Sequence, residues 1–216
     1  MASRLVLPRL YVILDSALLS LPVQDCAQSL ADAGVRLLQY RSKAASAREL
    51  LHSSQNLASL LAPRGVAFVV NDRADVAVLA GASGVHVGQE DLSVEQARGL
   101  VGDDRWVGVS THNLEQFQSA AATSADYIAV GPVFATSTKA NPDPVVGTEF
   151  IRQVRGMTDK PIVAIGGITL ENAASVIAAG ADSVAVISDI LRARNLGERA
   201  RQYLDLLGTA NHAAAV

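Results

Sequence analysis

Cysteine is almost missing from this chain, and aromatic rings are scarce. Cys26 stands alone among 216 residues, which excludes an internal disulfide and a cysteine-built zinc cluster. It falls in a helix expected from Val23, where a small core residue is the plain reading. Aromatic residues make up 4% of the chain while half of it is hydrophobic. The apolar material is therefore aliphatic, as in a parallel sheet buried under helices. An excess of basic charge is missing too: a net charge of -3 sets nucleic acid aside as a partner. No segment approaches the ~20 apolar residues of a membrane span. Arg4 and Arg9 precede an apolar run, Leu10–Leu14, but Asp15 breaks it and no small-x-small cleavage site follows. That run reads as a first strand rather than a leader. A cytoplasmic protein without membrane or nucleic-acid partners is expected, and a homo-oligomer stays open.

What is present is alternation. Short apolar runs predict strands at Leu10–Leu14, Val35–Tyr40, Ala67–Val70, Gly84–Val87, Trp106–Val109, Tyr127–Val130, Ile162–Ile165 and Ser183–Ile187. Amphipathic stretches between them predict helices at Val23–Ala33, Ala47–Leu61, Ala74–Leu79, Glu95–Leu100, Leu114–Ala122, Phe150–Arg155 and Leu170–Ala178, with a last one over Gly197–Leu207. Eight β-α units in a chain this long favour a single-domain α/β (β/α)₈ TIM barrel over residues 1–216, with an open doubly wound sheet as runner-up. Gly34, Gly81 and Gly180 recur where a helix ends and a strand begins, as left-handed stops. No linker divides the chain, and the small, polar tail 208–216 is expected to fray.

In a barrel, chemistry belongs at the strand ends. Gln39, Arg41 and Lys43 share one strand face and could hold an anion. Asn71-Asp72-Arg73 could merely cap the next helix, and Asp91 could be a turn residue. Yet Asp72 and Asp91 would hang from adjacent strands, and two close carboxylates repel unless a cation lies between them. Hard oxygen ligands with room for water and phosphate suit Mg²⁺. His86 reads as a satisfied buried histidine, and Asn113 as a helix cap. Ser110 could donate to an oxyanion. His112 is equally a base or loop surface. The long loop after the sixth strand carries Thr136-Ser137-Thr138-Lys139, a hydroxyl-rich run unusual for a connector. Gly166-Gly167 and Ile187-Ser188 end strands seven and eight, where barrels frequently hold a phosphate.

Taken together these motifs resemble one family. Tyr11-Val12-Ile13-Leu14-Asp15, Gln39-Tyr40-Arg41-Ser42-Lys43, Asn71-Asp72-Arg73, Gly84 to Asp91, Gly108-Val109-Ser110-Thr111-His112, Gly131-Pro132-Val133-Phe134 with Thr136 to Lys139, and Ala164-Ile165-Gly166-Gly167-Ile168 resemble thiamine phosphate synthase, in order, from about Leu10 to Ile190. The resemblance implies that a hydroxymethylpyrimidine diphosphate is joined to a thiazole phosphate, with the diphosphate leaving first and the thiazole nitrogen capturing the resulting cation. By resemblance, Gln39, Arg41, Lys43, Asn71 and Lys139 would hold the pyrimidine diphosphate. Asp72 and Asp91 would bind Mg²⁺, and Ser110 would contact the pyrophosphate. Thr136, Thr138, Gly167, Ile187 and Ser188 would hold the thiazole phosphate. Arg41, Ser110 and Lys139 would take catalytic roles. Leu14 and Tyr40 depart from residues common in the family, and Tyr40 should point outward.

Three other readings compete. A thiazole tautomerase on the same barrel would use His112 and have no need of a Mg²⁺–diphosphate clamp. A Schiff-base aldolase would need Lys139 in an apolar pocket, but it stands among hydroxyls. A non-enzymatic phosphate-ligand sensor leaves the full set of charged rim residues unexplained.

Overall fold

The structure, a computed structural model, describes residues 5–136 and 143–213. Its strands are β1 (Leu10–Asp15), β2 (Leu37–Arg41), β3 (Ala67–Asn71), β4 (Gly84–Val87), β5 (Trp106–Thr111), β6 (Tyr127–Val130), β7 (Ile162–Ile165) and β8 (Ser183–Val186). The helices are α1 (Val23–Asp32), α2 (Ala47–Leu61), α3 (Ala74–Ala80), α4 (Val94–Val101), α5 (Leu114–Ala121), α6 (Gly147–Arg155), α7 (Ala173–Ala178), α8 (Ser188–Leu191) and α9 (Leu196–Ala213). Each strand pairs in parallel with the next, and β8 returns to pair with β1. This is the closed (β/α)₈ barrel, not the open sheet. No helix among the described residues is long and apolar enough to cross a membrane.

Strand alternation sorts the core into two shells. Leu10, Val12, Leu14, Leu38 and Tyr40 face outward and pack under the helices. Tyr11, Ile13, Leu37, Val69, Tyr127, Ala129, Val163 and Ala185 fill the barrel interior. Both strand faces are buried, which is why the sequence shows continuous apolar runs. Cys26 is a buried member of the outer shell. In the interior, Gly108 makes room for Tyr127: a Cβ there would come within 2.1 Å of the ring.

Helix ends follow local chemistry. Ser46 with Glu49, and Ser93 with Gln96, form capping boxes at α2 and α4, each stabilising by about 1 kcal/mol. The expected glycine stops hold, with positive φ at Gly34, Gly81 and Gly180. At the closed end, Asp126 accepts from Val107 N–H (2.7 Å) and pairs with Arg98 of α4. Asp182 repeats the device, taking Ile162 N–H (2.8 Å) and Arg155 of α6 (2.6 Å).

Several boundaries differ from expectation. Strand β2 starts at Leu37 because Val35 N–H closes α1 onto Leu30 O (3.0 Å). Strand β1 continues through Asp15, whose charge is met by Arg41 on the adjacent strand. Strand β5 extends to Thr111. Helix α7 starts at Ala173 because Asn172 Oδ1 takes Thr169 N–H (2.9 Å) in a turn beforehand. Helix α6 begins three residues earlier than Phe150, α8 was not expected, and α9 runs past Leu207 to Ala213.

Candidate active site

The carboxyl ends of the strands open into a cavity of about 490 Å³. Gln39, Arg41, Lys43, Asn71, Asp72, Asp91, Ser110, Thr136, Gly167, Ile187 and Ser188 all line it. Thr138 and Lys139 lie outside the described residues.

One wall carries the cations and carboxylates. Arg41 pairs with Asp15, a buried carboxylate at the end of β1. The pair holds the guanidinium at the rim. Lys43 Nζ lies 2.5 Å from Asp72 Oδ2 and is half exposed. Helix α3 has no side-chain cap, so Asp72 is not spent on capping. Instead it sits at φ 63, the only non-glycine residue with positive φ among those described. Such strain at a cavity rim points to use of the side chain. Burial pushes the Asp72 carboxyl above its ordinary range; the Lys43 bond opposes this, and the adjacent Asp91 carboxyl adds to it. Asp91 also serves the turn, taking Gly88 N–H at 2.8 Å. Two carboxyls in contact, one reluctant to ionise, have the donor chemistry of a hard-cation site open to water and phosphate oxygens. Among the described residues no larger cluster of acidic, histidine or cysteine side chains is arranged to hold a metal ion.

The floor is a buried polar chain that crosses the barrel. Gln39 Nε2 donates to the Tyr11 hydroxyl (2.7 Å), which meets the Tyr127 hydroxyl (3.1 Å). Tyr127 reaches His86 Nδ1 (3.1 Å), and His86 Nε2 meets Ser110 Oγ (2.8 Å). Burial pushes His86 down to about 4, so its ring is neutral at ordinary pH, with one donor and one acceptor nitrogen. Burial also raises both phenols, which stay protonated. The chain runs unbroken from the Gln39 amide to the Ser110 hydroxyl, which His86 Nε2 fixes at its far end. Gln89 Nε2 binds Ser110 O (2.6 Å) from the rim side.

The opposite wall is backbone. Gly166 and Gly167 have φ 96 and 64, and a Cβ on Gly167 would lie 2.4 Å from Ala135 O. Only glycine fits, because the loop after β6 packs against this turn. Asn172 Nδ2 steadies this turn through Gly167 O (3.0 Å). Ile187 and Ser188 follow from β8. His112 is tied down: Nδ1 donates to Gly131 O (2.6 Å), and Nε2 lies 3.5 Å from Asp143 Oδ2. Asn113 caps α5 as expected.

Sequence reasoning missed Asp15, Tyr11 and Tyr127 as parts of the site. Strand parity could have found them, since Tyr11 and Asp15 share the inward face with Ile13, and Tyr127 shares it with Ala129.

Comparison with known proteins is consistent across the chain. The family model described as thiamine monophosphate synthase matches residues 10–190. A thiamine-phosphate synthase of Koribacter versatilis (strain Ellin345) is 52% identical over 212 residues, covering 96% of this chain and 99% of the relative. A thiamine-phosphate synthase of Methanosarcina barkeri (strain Fusaro / DSM 804) is 36% identical, covering 91% and 89%. Among solved structures, a thiamine phosphate pyrophosphorylase from Pyrococcus furiosus superposes with a TM-score of 0.85 at 31% identity, covering 94% of this chain and 96% of the other.

Proposed function

This chain belongs to the thiamine monophosphate synthase family and is an enzyme; from that premise we propose that it couples a hydroxymethylpyrimidine diphosphate to a thiazole phosphate, releasing thiamine phosphate and pyrophosphate. The proposed reaction is a dissociative substitution in the cytoplasm on small-molecule substrates. The bond from the pyrimidine methylene carbon to the diphosphate oxygen breaks, and its electron pair leaves with pyrophosphate. The lone pair of the thiazole nitrogen then forms the new carbon–nitrogen bond.

The chain's own residues divide this work. Gln39 and Asn71 orient the pyrimidine diphosphate. Arg41, Lys43 and Lys139 take its phosphate oxygens, and Ser110 contacts the departing pyrophosphate. Donors and cations beside a departing diphosphate stabilise the transition state more than the ground state, because negative charge grows there. Asp72 and Asp91 would hold Mg²⁺, which when bound supplies further positive charge to the leaving diphosphate. Thr136, Thr138, Gly167, Ile187 and Ser188 hold the thiazole phosphate. No proton need leave carbon, which suits a site whose two histidines are engaged in hydrogen bonds to protein groups.

The observation that carries this reading is one cavity lined by the cations Arg41 and Lys43 on one side and by the Gly166–Gly167 turn on the other. Incubation with both substrates and Mg²⁺ should yield thiamine phosphate by mass, and omitting either substrate should abolish it. A thiazole isomer formed without the pyrimidine diphosphate would support the tautomerase reading instead.

A further inference from the structure

Behind the phosphate wall, outside the cavity, a second charged cluster joins three elements. Asp189 is the second residue of α8, directly after Ser188. Its carboxylate receives a two-pronged pair of bonds from Arg199 of α9, Nε to Oδ2 and Nη2 to Oδ1, both at 3.0 Å. The Tyr203 hydroxyl, one helical turn further along α9, donates to Oδ2 at 2.6 Å. Arg199 Nη2 also lies 3.9 Å from Glu171 Oε1, in the loop that follows Gly167. Burial pushes the Asp189 carboxyl up, but the bonds from Arg199 and Tyr203 outweigh it and keep it below its ordinary value. Tyr203 is fully buried and Asp189 largely so, which makes this a fixed joint rather than a solvated surface pair.

The geometry assigns Asp189 as a positioning residue: through Arg199, which also reaches Glu171, and through Tyr203 it clamps the loops after β7 and β8 to α9, and so holds Gly167 and Ser188 at the spacing that a ligand phosphate requires. Helix α8 has only four residues and cannot hold itself in place. The β7 loop carries two left-handed glycines and has the same need. Arg199, held by Asp189, reaches both. The inference rests on the reading that the thiazole phosphate lies against this wall.

The test is steady-state kinetics with each substrate varied in turn. Asp189→Asn keeps an acceptor for Tyr203 but loses the paired ion bond. It should raise the KM for thiazole phosphate roughly 10- to 100-fold, the scale of a small misplacement of a bound group. The KM for the pyrimidine diphosphate should not change, because that substrate uses the opposite wall. Arg199→Met should give the same split, Arg199→Lys should restore part of it, and Asp189→Asn with Arg199→Met should be no worse than either alone. The Arg199 variants carry the test should Asp189→Asn fail to fold. Equal losses on both substrates, or an unchanged thiazole phosphate KM in folded variants, would overturn the assignment. Gly167→Val separates the two levels. If it raises the thiazole phosphate KM while the Asp189 and Arg199 variants do not, only the clamp is wrong. If Gly167→Val also leaves that KM unchanged, the phosphate lies elsewhere, and the clamp's role falls with it.

Discussion

Asp72 concentrates the cost of the site in one residue. Its backbone is left-handed, its carboxyl is largely buried, and a second carboxyl touches it. An acid whose folded pKa is raised holds its proton longer in the folded than in the unfolded state. Stability is then lost as pH rises from the unfolded value through the raised one, and folding carries the penalty at neutral pH. Asp72→Asn removes the penalty and still tolerates positive φ. Without metal, at neutral pH, the variant should melt above the parent by calorimetry. Added Mg²⁺ should raise the parent's Tm more than the variant's, because binding to the native state stabilises it. A metal-free variant that melts lower would mean that the Lys43 bond outweighs the crowding. Gly167 is the complementary case. A valine there meets Ala135 O and an unfavourable φ, so the thiazole phosphate KM should rise sharply while the pyrimidine diphosphate KM stays.

At the scale of elements, the barrel's two ends do different jobs. The closed end is stitched by Asp126 and Asp182, far in role from the cavity. Asp182→Ala leaves the buried Ile162 N–H without its carboxylate and frees Arg155. A loss of about 1–3 kcal/mol is expected, or roughly 2–4 °C in Tm per kcal/mol for a chain of this size. Kinetic constants should be unchanged, and an altered KM would show that the lower face communicates with the site. The eight strands were legible in the sequence because each is a short apolar run ended by a polar or glycine residue. The rim was legible because alternation puts Gln39 and Arg41 on one face. Helix α8 was not, since four residues show no period. Nor were the joints between strands: Asp15 with Arg41 and Tyr11 with Tyr127. Each links residues whose pairing depends on where closure brings them. The Asx cap weighed for Asp72 gave way to tertiary structure, which held the residue at positive φ at the rim.

For the whole molecule, closure brings carboxylates from β3 and β4, cations from β2, a hydroxyl from β5 and a glycine turn from β7 around one cavity. In the proposed mechanism a diphosphate enters beside Asp72 and Asp91, and that is tolerable only if a divalent cation lies among them. The direct test is turnover to thiamine phosphate in the parent, Asp72→Asn, Asp91→Asn and the double variant, with Mg²⁺ and with EDTA. Each single substitution should lower kcat by about 10²–10³, in line with other preorganised charge-stabilising groups. The double variant should lose little more, because both carboxylates serve one ion. EDTA should stop the parent and Mg²⁺ should restore it. Full turnover in EDTA, with Asp91→Asn as fast as the parent, would contradict metal-assisted departure of the diphosphate.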